Sequence, residues 1–131
     1  GIGGQTTLEC RARIGELAAC NYRQIVFICG INDIGHGYTK EEIVQNYAAM
    51  IETVQANNPD CQFVILSTLP TTSAFYSGQQ GKITLLNLAF KRFAKNTPTP
   101  NCSVTGCIRT RKVMRKLRKC SRHICFQKQN E

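Results

Sequence analysis

The stretch "QIVFICGIND", residues 24–33, decides how this chain folds. Gln24 to Cys29 are uncharged and rich in β-branched and aromatic side chains, which predicts a short strand buried on both faces. Gly30 opens a loop running to Tyr38. In an open parallel sheet, functional groups gather at the carboxyl ends of the strands, so "GIND" stands where a site would be built.

Reading outward, "TKEE" at residues 39–42 is a capping box, with Thr39 as cap and Glu42 at the third helical position. Ile43, Tyr47, Met50, Ile51 and Val54 then recur at helical spacing until "NNPD", residues 57–60, stops the helix. "CQFVILSTLP", residues 61–70, is a second strand and its exit. Strand, helix, strand makes a βαβ unit, whose crossover is right-handed in nearly all known cases. Upstream, Thr6 to Cys20 reads as one helix capped by Thr6 or Thr7, with Leu8, Ala12, Ile14, Leu17 and Ala18 on its apolar face. Downstream, a loop with Pro70, Gly78 and Gly81 leads to a helix whose apolar positions are Ile83, Leu86, Leu88, Phe90 and Phe93. "NTPTPN", residues 96–101, breaks that pattern. The expected organisation is an α/β domain over residues 1–100 and a basic, Cys-rich tail over 101–131.

The formal charge of +9 invites a nucleic-acid reading until it is divided along the chain. Residues 1–100 hold eight Lys or Arg against seven Asp or Glu, and residues 101–131 hold nine against one. Any argument from charge to partner is therefore confined to the tail. No stretch approaches the roughly 20 apolar residues that span a bilayer, so no transmembrane segment is expected. The eight cysteines form no single pattern. Cys29 and Cys61 fall in or beside strands, where small buried thiols are common, and the even count fits either redox compartment.

Two readings of "GIND" compete. An Asx side chain in such a loop ordinarily ties its own turn. Alternatively, the Asn32 amide can donate a hydrogen bond to a developing oxyanion. Asp33 is expected to fix the loop through nearby backbone groups. His36 could support catalysis as a base, although a loop histidine between glycines usually faces solvent. Ser67, Ser73 and Ser77 lie near the second strand's exit in contexts typical of turn formers.

"GIGGQTT", residues 1–7, followed after a helix and an apolar strand by "GIND", resembles two ordered blocks of the SGNH (GDSL-type) hydrolases. The resemblance covers about residues 1–95. It implies a three-layer, flavodoxin-like α/β fold with an incomplete parallel sheet, and hydrolysis of carboxylic or acetyl esters by a serine nucleophile, without cofactor. It places Gly4, through its backbone N–H, and Asn32, through its side chain, in an oxyanion hole. The family's nucleophile is a Ser in a G-D-S motif upstream of the glycine block, and no G-D-S occurs here. Its base is a His in a late D-x-x-H, whereas the late His123 is preceded three residues earlier by Cys120. The resemblance therefore implies a fragment or degenerate member, inactive alone, that would meet a small ester substrate only if completed by the missing segments.

In the tail, Cys102, Cys107, Cys120 and Cys125 give C-x4-C-x12-C-x4-C with His123 inside the second pair. That spacing sits at the loose edge of zinc-ligand rules, so the leading expectation is no metal. Val113, Leu117, Cys120 and Ile124 share one helical face, with basic side chains over much of the rest. A basic amphipathic segment of this kind fits an anionic partner such as nucleic acid or a lipid surface, which makes a non-enzymatic binding module the alternative function. A tail fused from elsewhere, or read out of an ancestral frame, would account for the composition break. If the tail binds anions, affinity for duplex DNA or anionic vesicles should fall steeply with salt and vanish on deleting residues 101–131. Binding that survives the deletion refutes a tail-borne site.

Overall fold

The computed structural model describes residues 1–97 and 102–105. Helix α1 (Thr7–Ala12) is started by Thr6, whose hydroxyl accepts from the Glu9 N–H while the Glu9 carboxylate accepts from the Thr6 N–H at 2.8 Å. This capping box assigns Thr6 to the helix end and leaves Thr7 to face the interior. The helix expected to reach Cys20 instead breaks at Arg13, and α2 (Ile14–Ala18) follows as a separate piece. Gly15 weakens helix propensity there, and the Arg13 guanidinium is held by Gln5 Oε1 at 2.8 and 3.1 Å.

Strand β1 (Gln24–Phe27) is two residues shorter than the sequence suggests. Beyond it, the hydroxyl of Tyr47 takes over both backbone groups of Cys29, accepting from its N–H at 3.0 Å and donating to its C=O at 2.9 Å. The stretch read as a loop then contains a short helix, α3 (Ile31–Gly35), because Ile31 and Ile34, three residues apart, both bury their side chains. Helix α4 (Lys40–Asn57) starts at the expected capping box of Thr39 and Glu42 and buries all five expected apolar positions. Strand β2 (Gln62–Leu66), a 3₁₀ turn (Ala74–Tyr76) and helix α5 (Gln80–Asn96) complete the order up to residue 97. On α5, Ile83, Leu86 and Phe90 are buried, whereas Leu88 is 46% exposed. Leu88 lies five positions after Ile83, a rotation of roughly 140° around the helix, which carries it off the inner face.

The chain forms one more strand after the composition break. β3 (Cys102–Thr105), assigned by composition to the tail, pairs parallel with β2 from Phe63↔Cys102 to Leu66↔Thr105. β1 pairs parallel with β2 on the other side, from Gln24↔Gln62 to Phe27↔Ile65, so the order is β1-β2-β3. The result is the expected incomplete parallel α/β sheet. Crossovers of the usual right hand, both stepping in the same direction along the sheet, would put α4 and α5 on one face, and the two helices do pack against each other. That face is the core: Phe27 lies beside Phe63 and meets the edge of Tyr47 from α4, whose ring lies 4.7 Å from that of Phe90 in α5. Val26, Val64 and Ser103, in register, share the opposite face, so the described residues supply one helical layer over the sheet.

A buried polar network ties α1, α3 and α4 together. The fully buried Asp33 carboxylate accepts from the Thr7 N–H at 2.9 and 3.0 Å and also from the Thr7 hydroxyl. The same hydroxyl accepts from Asn46 Nδ2 at 3.0 Å, so its proton must point to Asp33. The expected partner was nearby loop backbone. Thr7 wins because α1 begins beside α3 and presents an N–H that has no partner within its own helix. Burial pushes the Asp33 carboxyl above its ordinary pKa, against the opposing pull of the Thr7 hydrogen bonds.

Gly30 has φ +129°, and a Cβ there would lie 2.9 Å from Leu86 Cδ2, so Gly30→Ala should lower stability by about 1–3 kcal/mol in urea unfolding. A change within a few tenths would show that the turn relaxes freely. Asp33→Asn leaves a buried amide N–H₂ facing two donors and should cost about 1–3 kcal/mol. Because the folded pKa of Asp33 is raised, its stabilising contribution is complete below the unfolded pKa and is lost as pH rises through the folded value. The stability gap between parent and Asp33→Asn should therefore narrow from pH 3.5 towards neutrality. A widening gap would mean that the carboxyl is held low instead.

Candidate active site

The carboxyl ends of β1 and β2 are tied down by side chains, because the strand ladder has ended there. Asn87 from α5 accepts from the Thr68 N–H at 2.8 Å and donates to the Thr68 carbonyl at 2.9 Å, which fixes the chain leaving β2. Gly30 fixes the chain leaving β1 by adopting a backbone angle that other residues resist.

Asn32 sits between these exits, in the first turn of α3 and partly exposed. Its Nδ2 donates to the Gln5 carbonyl at 2.9 Å, and its Oδ1 accepts from the Tyr76 hydroxyl at 2.9 Å. Since a carbonyl can only accept, the Gln5 contact sets which end of the amide faces it. Among the described residues, the second Nδ2 hydrogen has no partner, so the amide is oriented by two bonds and retains one donor. Gln5 is the residue after Gly4, which is exposed and holds the left-handed conformation at φ +82°. The glycine block and the "GIND" turn are thus brought together by the Asn32–Gln5 bond.

Tyr76 and Gln5 carry this arrangement, and sequence reasoning did not single out either. Tyr76 comes from the 3₁₀ turn, whose Phe75 and Tyr76 rings meet edge to face at 4.9 Å and pack over α3. A Cβ on Gly35 would fall 2.8 Å from Phe75 and 3.0 Å from Tyr76, so the missing side chain makes room for that approach. The only usable hint was an aromatic pair, "AFYSG", in an otherwise polar loop.

Asp33 and His36 carry the spacing of a D-x-x-H pair, but the fold separates their roles. The Asp33 carboxylate is turned inward to Thr7, while His36 is exposed at the carboxyl end of α3, near the charges of Asp33 and Glu9. Among the described residues no hydrogen bond joins the two. Ser67 is buried, whereas Ser73 and Ser77 are exposed and flank the 3₁₀ turn, Ser73 donating its N–H to Thr71. The α4–α5 groove, about 710 Å³, is lined by none of Gly4, Asn32, Asp33 or His36. Cys102 is a half-buried free thiol in β3, and Cys107, Cys120, Cys125 and His123 lie outside the described residues, as does the segment from Val113 to Ile124 for which a basic amphipathic helix is expected. Among the described residues, no helix is long and apolar enough to cross a membrane, and no group of three His, Cys, Asp or Glu side chains could hold a metal ion.

Comparison with curated proteins finds no match. Among solved structures, the chain is similar to a carbohydrate esterase family 3 protein from Talaromyces cellulolyticus, with 21% identity and a TM-score of 0.65. The likeness covers 79% of this chain and 49% of that one, so the chain spans about half the length of that structure, and the likeness shows the shared fold. The model of the GDSL-like Lipase/Acylhydrolase family matches residues 1–116, across the glycine block, the "GIND" turn and all three strands. With most of its length inside that match, the chain belongs to the GDSL-like lipase/acylhydrolase family.

Proposed function

We propose that this chain carries the oxyanion-binding half of an SGNH-type ester hydrolase, and that its 131 residues alone turn esters over little or not at all. The observation that carries the reading is the Asn32 amide, held between the Gln5 carbonyl and the Tyr76 hydroxyl with one donor to spare. When a carboxylic or acetyl ester is attacked, negative charge develops on the carbonyl oxygen. A donor already oriented by two other bonds stabilises that charge with little reorganisation. The Gly4 backbone N–H, in the segment joined to Asn32 through Gln5, is the second donor of the proposed hole.

The other half of the chemistry needs a nucleophile and a base. No G-D-S motif occurs in the 131 residues, and the Asp33–His36 pair is divided between interior and surface. Loss of triad members ordinarily costs several orders of magnitude in rate. The charge concentrated beyond residue 100 supports a second reading, contact of the tail with an anionic partner, which the salt-dependence measurement decides.

With p-nitrophenyl acetate, the parent chain and Asn32→Ala should both be indistinguishable from buffer. Turnover that falls on removing the Asn32 amide would overturn the proposed inactivity. In a chimera that adds a family member's G-D-S strand and Asp-His segment, Asn32→Ala should lower kcat by roughly a hundredfold. An unchanged kcat in an active chimera would remove Asn32 from the oxyanion role.

A further inference from the structure

Cys10 on α1 and Cys29, two residues beyond β1, place their sulfurs 3.9 Å apart in the interior. Both are free thiols. A disulfide requires about 2.05 Å, so the sulfurs must approach by roughly 2 Å, within reach of small side-chain rotations combined with a slight shift of one element. The elements differ in their freedom to make that shift. The Cys29 backbone is clamped on both its N–H and C=O by the buried Tyr47 hydroxyl. Cys10 sits on a helix of six residues that ends at Arg13. Cys10 is only 6% exposed and Cys29 3%, which shuts out bulky disulfide reagents and leaves small oxidants.

We propose that Cys10 and Cys29 are an oxidisable thiol pair, which a peroxide converts into an intramolecular disulfide stapling α1 to the chain that enters the Gly30 turn. Cys10 is the attacking sulfur, because the hydrogen bond with Cys29 favours its thiolate and Arg13 adds to the effect, against the opposing cost of burial. Its thiolate attacks one peroxide oxygen, the O–O bond breaks, and the departing hydroxide takes up a proton and leaves as water, giving Cys10 sulfenic acid. The Cys29 sulfur then attacks the Cys10 sulfur, the S–O bond breaks, and the oxygen leaves as a second water with the Cys29 thiol proton. In sum, two thiols and one hydrogen peroxide give one disulfide and two waters, with two electrons passing from the sulfur pair to the peroxide. The staple joins the segments already linked by the Thr7–Asp33 and Gln5–Asn32 bonds, so it reinforces the native arrangement.

Trypsin makes the test direct. Cleavage after Arg11, Arg23 and Lys40 releases residues 1–11 and 24–40, each carrying a single cysteine. The full chain, reduced, desalted and treated with stoichiometric hydrogen peroxide before alkylation, should yield these two peptides joined, lighter than their sum by two hydrogens and separable by reductant. Oxidation should raise the melting temperature by about 5–15 °C. Cys20→Ala should leave the link intact, and Cys29→Ala should abolish it and slow the oxidation of Cys10 by peroxide, because the hydrogen bond that favours the Cys10 thiolate is lost. The proposal is overturned if Cys10 and Cys29 are recovered separately alkylated at peroxide doses that oxidise the exposed Cys20. Preferential linkage of Cys10 to another cysteine in the folded chain overturns it equally.

Discussion

The bond between the Asp33 carboxylate and Thr7 is the constraint on which the rest of the described structure hangs. A buried carboxylate is costly unless its oxygens are satisfied, and the free N–H of a helix's first turn, backed by a hydroxyl on the same residue, is a fitting partner. Because the Thr7 hydroxyl also accepts from Asn46, whose Oδ1 in turn faces Arg11 at 3.4 Å, the network runs in one direction through α1, α3 and α4. With Thr7 fixed, Gln5 two residues earlier is delivered to Asn32. The candidate oxyanion donor thus owes its place to a carboxylate that need not touch a substrate.

The same economy of bonds governs the strand ends. Parallel strands leave their last backbone groups unpaired where functional loops begin, and buried unpaired groups cost about 1–3 kcal/mol each. Tyr47 answers this at Cys29, and Asn87 answers it at Thr68. Both side chains come from crossover helices that the core would require in any case. Their polar ends let those helices hold the floor of the candidate site as well as bury the sheet. Gly30 and Gly35 complete the arrangement by omission, one through its backbone angle and the other by admitting the Phe75–Tyr76 pair.

For function, the division is between orienting a donor and supplying a nucleophile. The first needs rigid neighbours, and the chain has them in Gln5, Tyr76 and the Asp33 network. The second needs a serine with a base in hydrogen-bond reach. Asp33 and His36, though spaced like the family's acid–base pair, differ in surroundings: the Asp33 carboxylate is buried against Thr7, and His36 is exposed. A shared spacing is therefore no substitute for shared geometry. The candidate oxyanion turn stands at the end of a buried parallel strand, inside the span that the GDSL-like family model matches.

The sequence by itself determined what depends on neighbours a few residues away. The capping box at Thr39, a threonine cap at residue 6 or 7, the buried stripe from Ile43 to Val54, the hydrophobic runs of β1 and β2, and the turn at Gly30 were all legible, because capping and periodic burial act within a helical turn or a strand pleat. Other features were decided only by tertiary structure. Asp33 finds Thr7 across 26 positions, Asn32 finds Gln5 across 27, and Tyr76 reaches Asn32 across 44. Strand β3 was hidden for the same reason: "CSVT" carries no buried run, and it becomes a strand because the edge of β2 offers backbone partners. Hydrogen bonds made between distant segments leave no periodic trace in the chain, so only the folded arrangement could reveal them.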